Sequence, residues 1–248
     1  MSEQVVLITG ALTGIGRAAA IAFAREGAKV VVSGRRQEAG EALAQELRGL
    51  GTEAEFVKAD VRLEDEVKTL VDRTVTRFGR LDVAVNNAGT EGRIGPITDQ
   101  TAESVAETFD TNVVGTVLGM KHQINAMRAN GGGSIINVSS LLGHRAAAYT
   151  SIYTASKHAV EGLTKAAALE LAEAGIRVNA VAPGATETGM LNRFAGSDEV
   201  KASLAASIPM KRIGHADEVA NVIVFLGSDK STFVTGQIYS ADGGKNAG

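Results

Sequence analysis

Short aliphatic and β-branched runs alternate with helical stretches along nearly the whole chain, and this alternation narrows the available folds more than any single motif. Val5 to Thr9, Lys29 to Ser33, Ala54 to Ala59, Leu81 to Asn86, Ser134 to Ser139, Ile176 to Ala182 and Gln237 to Ser240 read as strands. The first is apolar throughout, as expected of a strand buried on both faces. Between them lie a helix face marked by Ile15, Ala18, Ala19, Ala22 and Phe23, and helical stretches over Arg35 to Leu50 and Leu63 to Phe78. A long helix is expected from about Thr101 to Asn130, stopped by Gly131-Gly132-Gly133, and another over Asp217 to Gly227. Strand and helix in turn predict a parallel α/β sheet covered on both faces, with right-handed crossovers. No linker, low-complexity segment or fixed-period repeat interrupts the pattern, so one domain over residues 1–248 is expected.

Charge and composition exclude several classes of partner. A net charge of −3 gives no support for nucleic-acid or membrane-surface binding. No apolar run approaches the ~20 residues that cross a bilayer. The N-terminal MSEQVVLITG enters a strand directly, without the regions of a signal peptide. Cysteine is absent, which fits a reducing compartment. A cytoplasmic location is the expectation.

Gly10-Ala11-Leu12-Thr13-Gly14-Ile15-Gly16 joins the first strand to the first helix. Glycines there allow a tight turn and a close approach of backbone to a pyrophosphate resting on the helix N-terminus. The spacing is G-x-x-x-G-x-G rather than the commoner G-x-G-x-x-G, and tight strand–helix packing is the competing explanation. The second strand ends Val32-Ser33-Gly34-Arg35-Arg36, with no carboxylate to hold ribose hydroxyls. Guanidinium binds phosphate well, so Arg35, helped by Ser33, predicts a preference for NADP, with NAD as the alternative.

Tyr153 and Lys157 stand four apart at the start of a helix whose face is set by Val160, Leu163, Ala167 and Leu171. That spacing makes them neighbours. A tyrosine hydroxyl titrates near ~10, and a nearby ammonium is expected to lower this, yielding a proton donor and acceptor. For an isolated pair, an exposed polar couple on a helix is the ordinary outcome.

The chain as a whole resembles the short-chain dehydrogenase/reductase family. The resemblance is carried by Thr9-Gly10 through Gly16, Asp60-Val61, Asn86-Asn87-Ala88-Gly89, Asn112, Asn137-Val138-Ser139-Ser140, Tyr153 to Lys157, Asn179, Pro183-Gly184 and Thr188, in family order and spacing. It implies a single-domain Rossmann fold: a doubly wound, seven-stranded parallel sheet in the order 3-2-1-4-5-6-7. It further implies an NAD(P)-dependent oxidoreductase acting between a carbonyl and a secondary alcohol, usually a homotetramer. Tyr153 would be the general acid/base. Lys157 would lower its pKa and hold the nicotinamide ribose. Ser140, thirteen residues before the tyrosine, would bind the substrate oxygen, and Asn112 would shape the helix and hold a water. For the cofactor, the resemblance implies the turn residues Gly10, Thr13, Gly14, Ile15 and Gly16, the adenine contacts Asp60 and Val61, and Asn87, Ala88 and Gly89 beneath the riboses. Pro183, Gly184, Thr186 and Thr188 would meet the carboxamide, while Asn86 would brace the sheet. Two positions depart from the pattern. Thr186 replaces an aliphatic residue, and Thr13 stands where many NADP-dependent members carry a basic one.

No metal is required by this chemistry, and His122, His144, His158 and His215 lack ligand spacing. They read as structural or surface residues, with His144 close enough to Ser140 to line a pocket. Thr90 to Pro96 and Gly189 to Met210 are expected to wall that pocket, the second as a mobile lid with Met190, Leu191 and Phe194 inward. An apolar lid suggests a small neutral carbonyl or alcohol. Competing readings are an NAD-linked dehydrogenase of a sugar, steroid or small alcohol, and a nucleotide-sensing protein without turnover.

Overall fold

Apolar side chains point to both sides of the inner strands, and successive residues of a strand face opposite ways. In the computed structural model, residues 4–247 are described; residues 1–3 of the N-terminal stretch, and Gly248, lie outside the described residues. The strands are β1 (Val5–Ile8), β2 (Lys29–Gly34), β3 (Ala54–Lys58), β4 (Val83–Asn86), β5 (Gly133–Val138), β6 (Ile176–Pro183) and β7 (Ile238–Ala241). They form one parallel sheet in the order β3-β2-β1-β4-β5-β6-β7, the doubly wound arrangement that the resemblance implies.

Val6 and Ile8 of β1, with Val30 and Val32 of β2, pack beneath α1 (Gly14–Arg25), α2 (Gln37–Gly49) and α9 (Ala216–Gly227), where Phe23, Leu47 and Ile223 meet them. Leu7, Val31 and Ile135 face the other way, against Leu70 of α3 (Glu64–Phe78), Met127 of α5 (Gly115–Ala129) and Leu171 of α6 (Ser151–Leu171). Burying one such side chain is worth ~1.5–3 kcal/mol, so two filled faces supply most of the drive to fold.

The long helix expected from Thr101 to Asn130 is interrupted. It consists of α4 (Ala102–Phe109), a π-helical turn over Asp110–Val114, and α5. The extra residue in a π turn rotates the side chains that follow, and such turns recur at functional sites. Here the turn carries Asn112, which is buried. The stretch from Gly189 to Met210 is built of two short helices, α7 (Gly189–Ala195) and α8 (Asp198–Ser207), capped by the hydroxyls of Thr188 and Ser197.

A chain of polar side chains crosses the interior between strands and helices. Asn86 Nδ2 donates to Gln123 Oε1 (3.0 Å) and Asn137 Oδ1 (2.9 Å), and Gln123 Nε2 returns a bond to Asn86 Oδ1 (2.8 Å). Asn137 Nδ2 then donates to Thr164 Oγ1 at 3.0 Å, so β4, α5, β5 and α6 are tied in one register. Breaking a buried network leaves its remaining groups without partners, at ~1–3 kcal/mol. Asn86→Ala should therefore lower unfolding free energy by about that amount in a urea titration, with an unchanged m-value.

Candidate active site

All the strands of a parallel sheet leave at the same edge, and in a doubly wound sheet the crevice opens where the strand order reverses. Here that point lies between β1 and β4. A cavity of about 1120 Å³ runs along this edge, from Arg35 and Asp60 at one end, past Tyr153 and Lys157, to α7 and α8 at the other.

The turn after β1 is shaped by its glycines. Gly10 has φ of +61° and Gly14 +56°, backbone that L side chains rarely adopt, and a Cβ at Gly10 would stand 2.7 Å from Ala88 Cα. The β4 end clamps the turn in place. Asn87 Nδ2 donates to the carbonyls of Thr9 (3.1 Å) and Gly10 (2.9 Å), and Thr9 Oγ1 accepts from Asn87 N (3.2 Å) and Ala88 N (3.3 Å). Asn87 therefore braces the turn from below. Thr13 occupies the N-cap of α1, but its side chain caps nothing, and the first turn holds no acidic residue. The first N–H groups of a helix have no partner within it, so this end offers donors and positive potential to a pyrophosphate. Ile15 and Gly16 follow in the same turn, with Gly16 buried.

At the cavity's far end, Arg35 and Arg36 are exposed beside Gly34. Ser33 is buried, and its Oγ has no hydrogen-bond partner among the described residues. Ser33 is not among the residues that line the cavity, but uncapped helix donors, a fitted glycine turn and the exposed Arg35 and Arg36 are what a nicotinamide dinucleotide would meet, and these residues fit it. Asp60 does not stand free for adenine. Arg62 grips its carboxylate through Nε (3.0 Å) and Nη2 (2.6 Å), which holds the carboxyl below its usual value, and Arg35 adds to that effect from a distance. Arg62 also lines the cavity beside Val61. The sequence reading passed it over, although its position two residues after Asp60 was visible.

The substrate end assembles around α6. Ser140 leaves β5 at the cavity, which it lines together with Tyr153, and its hydroxyl accepts from Leu142 N at 3.1 Å. Lys157 is buried, with Nζ 5.7 Å from the Tyr153 ring centroid and donating to the Val138 carbonyl at 2.9 Å. Asn112 Nδ2 donates to Thr90 O (2.9 Å) and Ser156 Oγ (3.0 Å), and its Oδ1 accepts from Thr90 N (2.8 Å). The π turn thus locks the wall after β4 against α6. Gly89 packs between Asn112 and Lys157. Pro183, Gly184 and Thr188 line the cavity; Thr186 lines it too, but its hydroxyl is turned back onto the Gly184 carbonyl at 3.0 Å. Tyr149, outside the Tyr–Lys spacing, is exposed, with φ of +68°.

The expected effect of Lys157 on Tyr153 is not what this geometry gives. The ammonium lies against the ring rather than bonded to the phenol oxygen. Burial pushes the Tyr153 hydroxyl above its usual value; the Ser140 hydrogen bond opposes this and the Glu91 charge adds to it. Burial also brings Lys157 down to about 8, with the Glu161 carboxylate opposing.

The two stretches expected to wall the pocket meet through a pair of charges. Glu91, after β4, and Arg193, on α7, form a bidentate ion pair across the cavity mouth, with Nη2 to Oε2 at 3.1 Å. Burial works to raise the Glu91 carboxyl, but the hydrogen bonds from Arg193 and from its own backbone keep it below the usual range. Residues so far apart in sequence gave no signal of their pairing. His144 does not line the cavity; it points to Glu161 behind it. Among the described residues no cluster of three or more His, Asp or Glu could hold a metal ion, and no helix is long and apolar enough to cross a membrane.

Comparison with known proteins agrees with this architecture. A family model described as enoyl-(acyl carrier protein) reductase matches residues 10–246. The cis-4-hydroxycyclohexanecarboxylate dehydrogenase of Sinomonas cyclohexanicum is 41% identical over 99% of this chain and 98% of its own. A short-chain type dehydrogenase/reductase from Mycobacterium ulcerans superposes with a TM-score of 0.95 at 35% identity, over 99% of this chain and 90% of that one. A variant actinorhodin polyketide ketoreductase with NADPH gives 0.93 at 37% identity, over 98% and 97%. The chain belongs to the short-chain dehydrogenase/reductase family. It is an NAD(P)-dependent oxidoreductase with a Rossmann fold and a nicotinamide cofactor.

The pKa directions set a pH dependence. Lys157 carries its charge below about 8 and loses it above. Tyr153, raised, stays protonated through neutral pH. Carbonyl reduction should accordingly be flat through neutrality and fall as pH passes the Lys157 value, whereas alcohol oxidation should climb into the alkaline range. Steady-state rates in both directions across pH check this.

Proposed function

We propose that this protein is an NADP-dependent oxidoreductase moving a hydride between nicotinamide and a carbonyl or secondary alcohol, with Tyr153 as general acid/base. The observation that carries the proposal is the Ser140–Tyr153 hydroxyl pair beside the buried Lys157, in one cavity with the glycine turn. When bound, the nicotinamide supplies or accepts the hydride. Tyr153, kept protonated by burial, donates its proton to the carbonyl oxygen in reduction and takes one from the alcohol in oxidation. Ser140 steadies the substrate oxygen and the charge that develops there. Lys157 places its ammonium against the Tyr153 ring and reaches for the ribose hydroxyls, and Asn112 holds the π turn that keeps the cavity wall in position.

NADP is favoured because the β2 end offers Arg35 and Arg36 at the cavity and no carboxylate. The relative with NADPH supports this choice, and the lack of a basic residue at Thr13 keeps NAD as the alternative. Gly10, Thr13, Gly14, Ile15 and Gly16 take the pyrophosphate, Val61 flanks the adenine, and Asn87, Ala88 and Gly89 underlie the riboses. Pro183, Gly184, Thr186 and Thr188 meet the carboxamide. Substrate enters beneath α7 and α8, which act as a lid within one domain. Leu142, Met190, Leu191, Phe194 and Ile208 give the space an apolar lining suited to a small, mostly neutral ketone or alcohol. The Glu91–Arg193 pair joins lid to wall and neutralises both charges at the mouth. Assembly as a homotetramer through α6 and β7 agrees with the exposed apolar side chains of Leu169 and Phe233.

Three substitutions test these roles. Tyr153→Phe should lower kcat for ketone reduction by about 10²–10⁴-fold with nucleotide binding retained, and an unchanged kcat would refute the mechanism. Arg35→Ala should cut the NADPH-over-NADH ratio of kcat/KM by about 10–100-fold, the worth of one charged hydrogen bond; an unchanged ratio would return the choice to NAD. Arg193 is largely exposed, so Arg193→Ala should raise substrate KM only about two- to fivefold, with kcat little changed.

A further inference from the structure

A carboxylate that plays no part in the steps above lies buried one helical turn beyond Lys157. Glu161 is 4% exposed. Its Oε1 accepts from Ser139 Oγ at 2.9 Å and pairs with His144 Nδ1 at 2.9 Å. Ser139 Oγ also lies 3.5 Å from the Lys157 carbonyl, and His144 Nε2 lies 3.5 Å from Ser240 Oγ on β7. The fit is close: a Cβ at Gly143 would run into both the Glu161 carboxylate and the Ser139 hydroxyl. Burying a carboxylate is costly unless it is hydrogen-bonded and faces a compensating charge. On the same helix that charge is Lys157, whose ammonium is itself buried and bonded to a single neutral carbonyl.

We propose that Glu161 is a positioning residue for proton transfer: its carboxylate, held by Ser139 and His144, keeps the Lys157 ammonium charged beside Tyr153. The inference rests on the reading of Tyr153 and Lys157 as the proton-transfer pair. The titratable groups around this cluster are Tyr153 and Lys157 on α6, His144 from the turn after β5, and Glu91 after β4, whose charge reaches Tyr153; β7 adds only the Ser240 hydroxyl. Burial works against the Lys157 charge and Glu161 works for it. Removing the carboxylate removes the influence that opposes burial, so Lys157 loses its proton at lower pH. Reduction then fails at lower pH too.

The test compares the wild-type protein with Glu161→Gln, which keeps the shape and the capacity to hydrogen-bond but loses the charge. The alkaline limb of kcat/KM for ketone reduction should move down by about one pH unit, with rates below the limb nearly unchanged. In the nucleotide-free protein, the Lys157 side-chain nitrogen, followed by NMR and identified by its loss in Lys157→Arg, should titrate lower by the same amount. This readout needs no turnover, so failure of the catalytic reading is distinguishable from failure of the Glu161 role. A uniform loss of rate with an unmoved limb and an unmoved lysine titration would make Glu161 a structural anchor only and overturn the proposal. Glu161→Asp covers the case in which the glutamine variant does not fold. It keeps the charge on a shorter stem, so near-wild-type rates with the limb in place support the charge role. A loss at every pH in that variant overturns it.

Discussion

A parallel sheet buried on both faces sends every strand out at one edge, and the rest of this molecule depends on that constraint. The ends of β1, β2, β4, β5 and β6 are brought within one cavity, although their residues are spread over most of the chain. Hydrophobic burial supplies the force but no direction within the crevice. Direction comes from the turn after β1 and its clamp. Asn87 and Thr9 exchange hydrogen bonds across the β1–β4 gap, the place where strand order reverses. A loop of glycines, free to wander by itself, is fixed there by a neighbouring strand.

Polar groups inside the core then set the distances that apolar packing leaves loose. The Gln123–Asn86–Asn137–Thr164 chain holds β4, β5, α5 and α6 in mutual register. Asn112, on its π turn, does the same for α6 and the wall after β4. Directional bonds of this kind are suited to holding Ser140 and Tyr153 within hydrogen-bond reach of each other. A purely aliphatic interior of similar volume would tolerate slippage of the same elements.

The electrostatics of the site follow from its dryness. Burial raises Tyr153 and lowers Lys157, and each shift disfavours the charged form of its group. The remaining influences come from carboxylates at measured places: Glu91 at the mouth, neutralised by Arg193, and Glu161 behind, held by Ser139 and His144. The protein thus has one carboxylate that acts on the tyrosine and one that acts on the ammonium.

The strand and helix pattern, the glycine turn and the Tyr153–Lys157 spacing were legible in the sequence, because they depend on local periodicity and fixed spacing, whereas Ser140 was reached only through the family resemblance. Element ends fell within a few residues of their observed places, for the same reason. The π turn at Asn112 was not legible, since the bonds that hold Asn112 to Thr90 and Ser156 link residues far apart in sequence. Nor were the Arg62–Asp60, Arg193–Glu91 and His144–Glu161 pairs, or the position of Lys157 against the tyrosine ring rather than its oxygen. Sequence by itself determined which elements form and which side chains they carry, because those follow from neighbours along the chain. Only the tertiary structure decided which charges meet and which stay buried, because those depend on distances across the fold that no local pattern encodes.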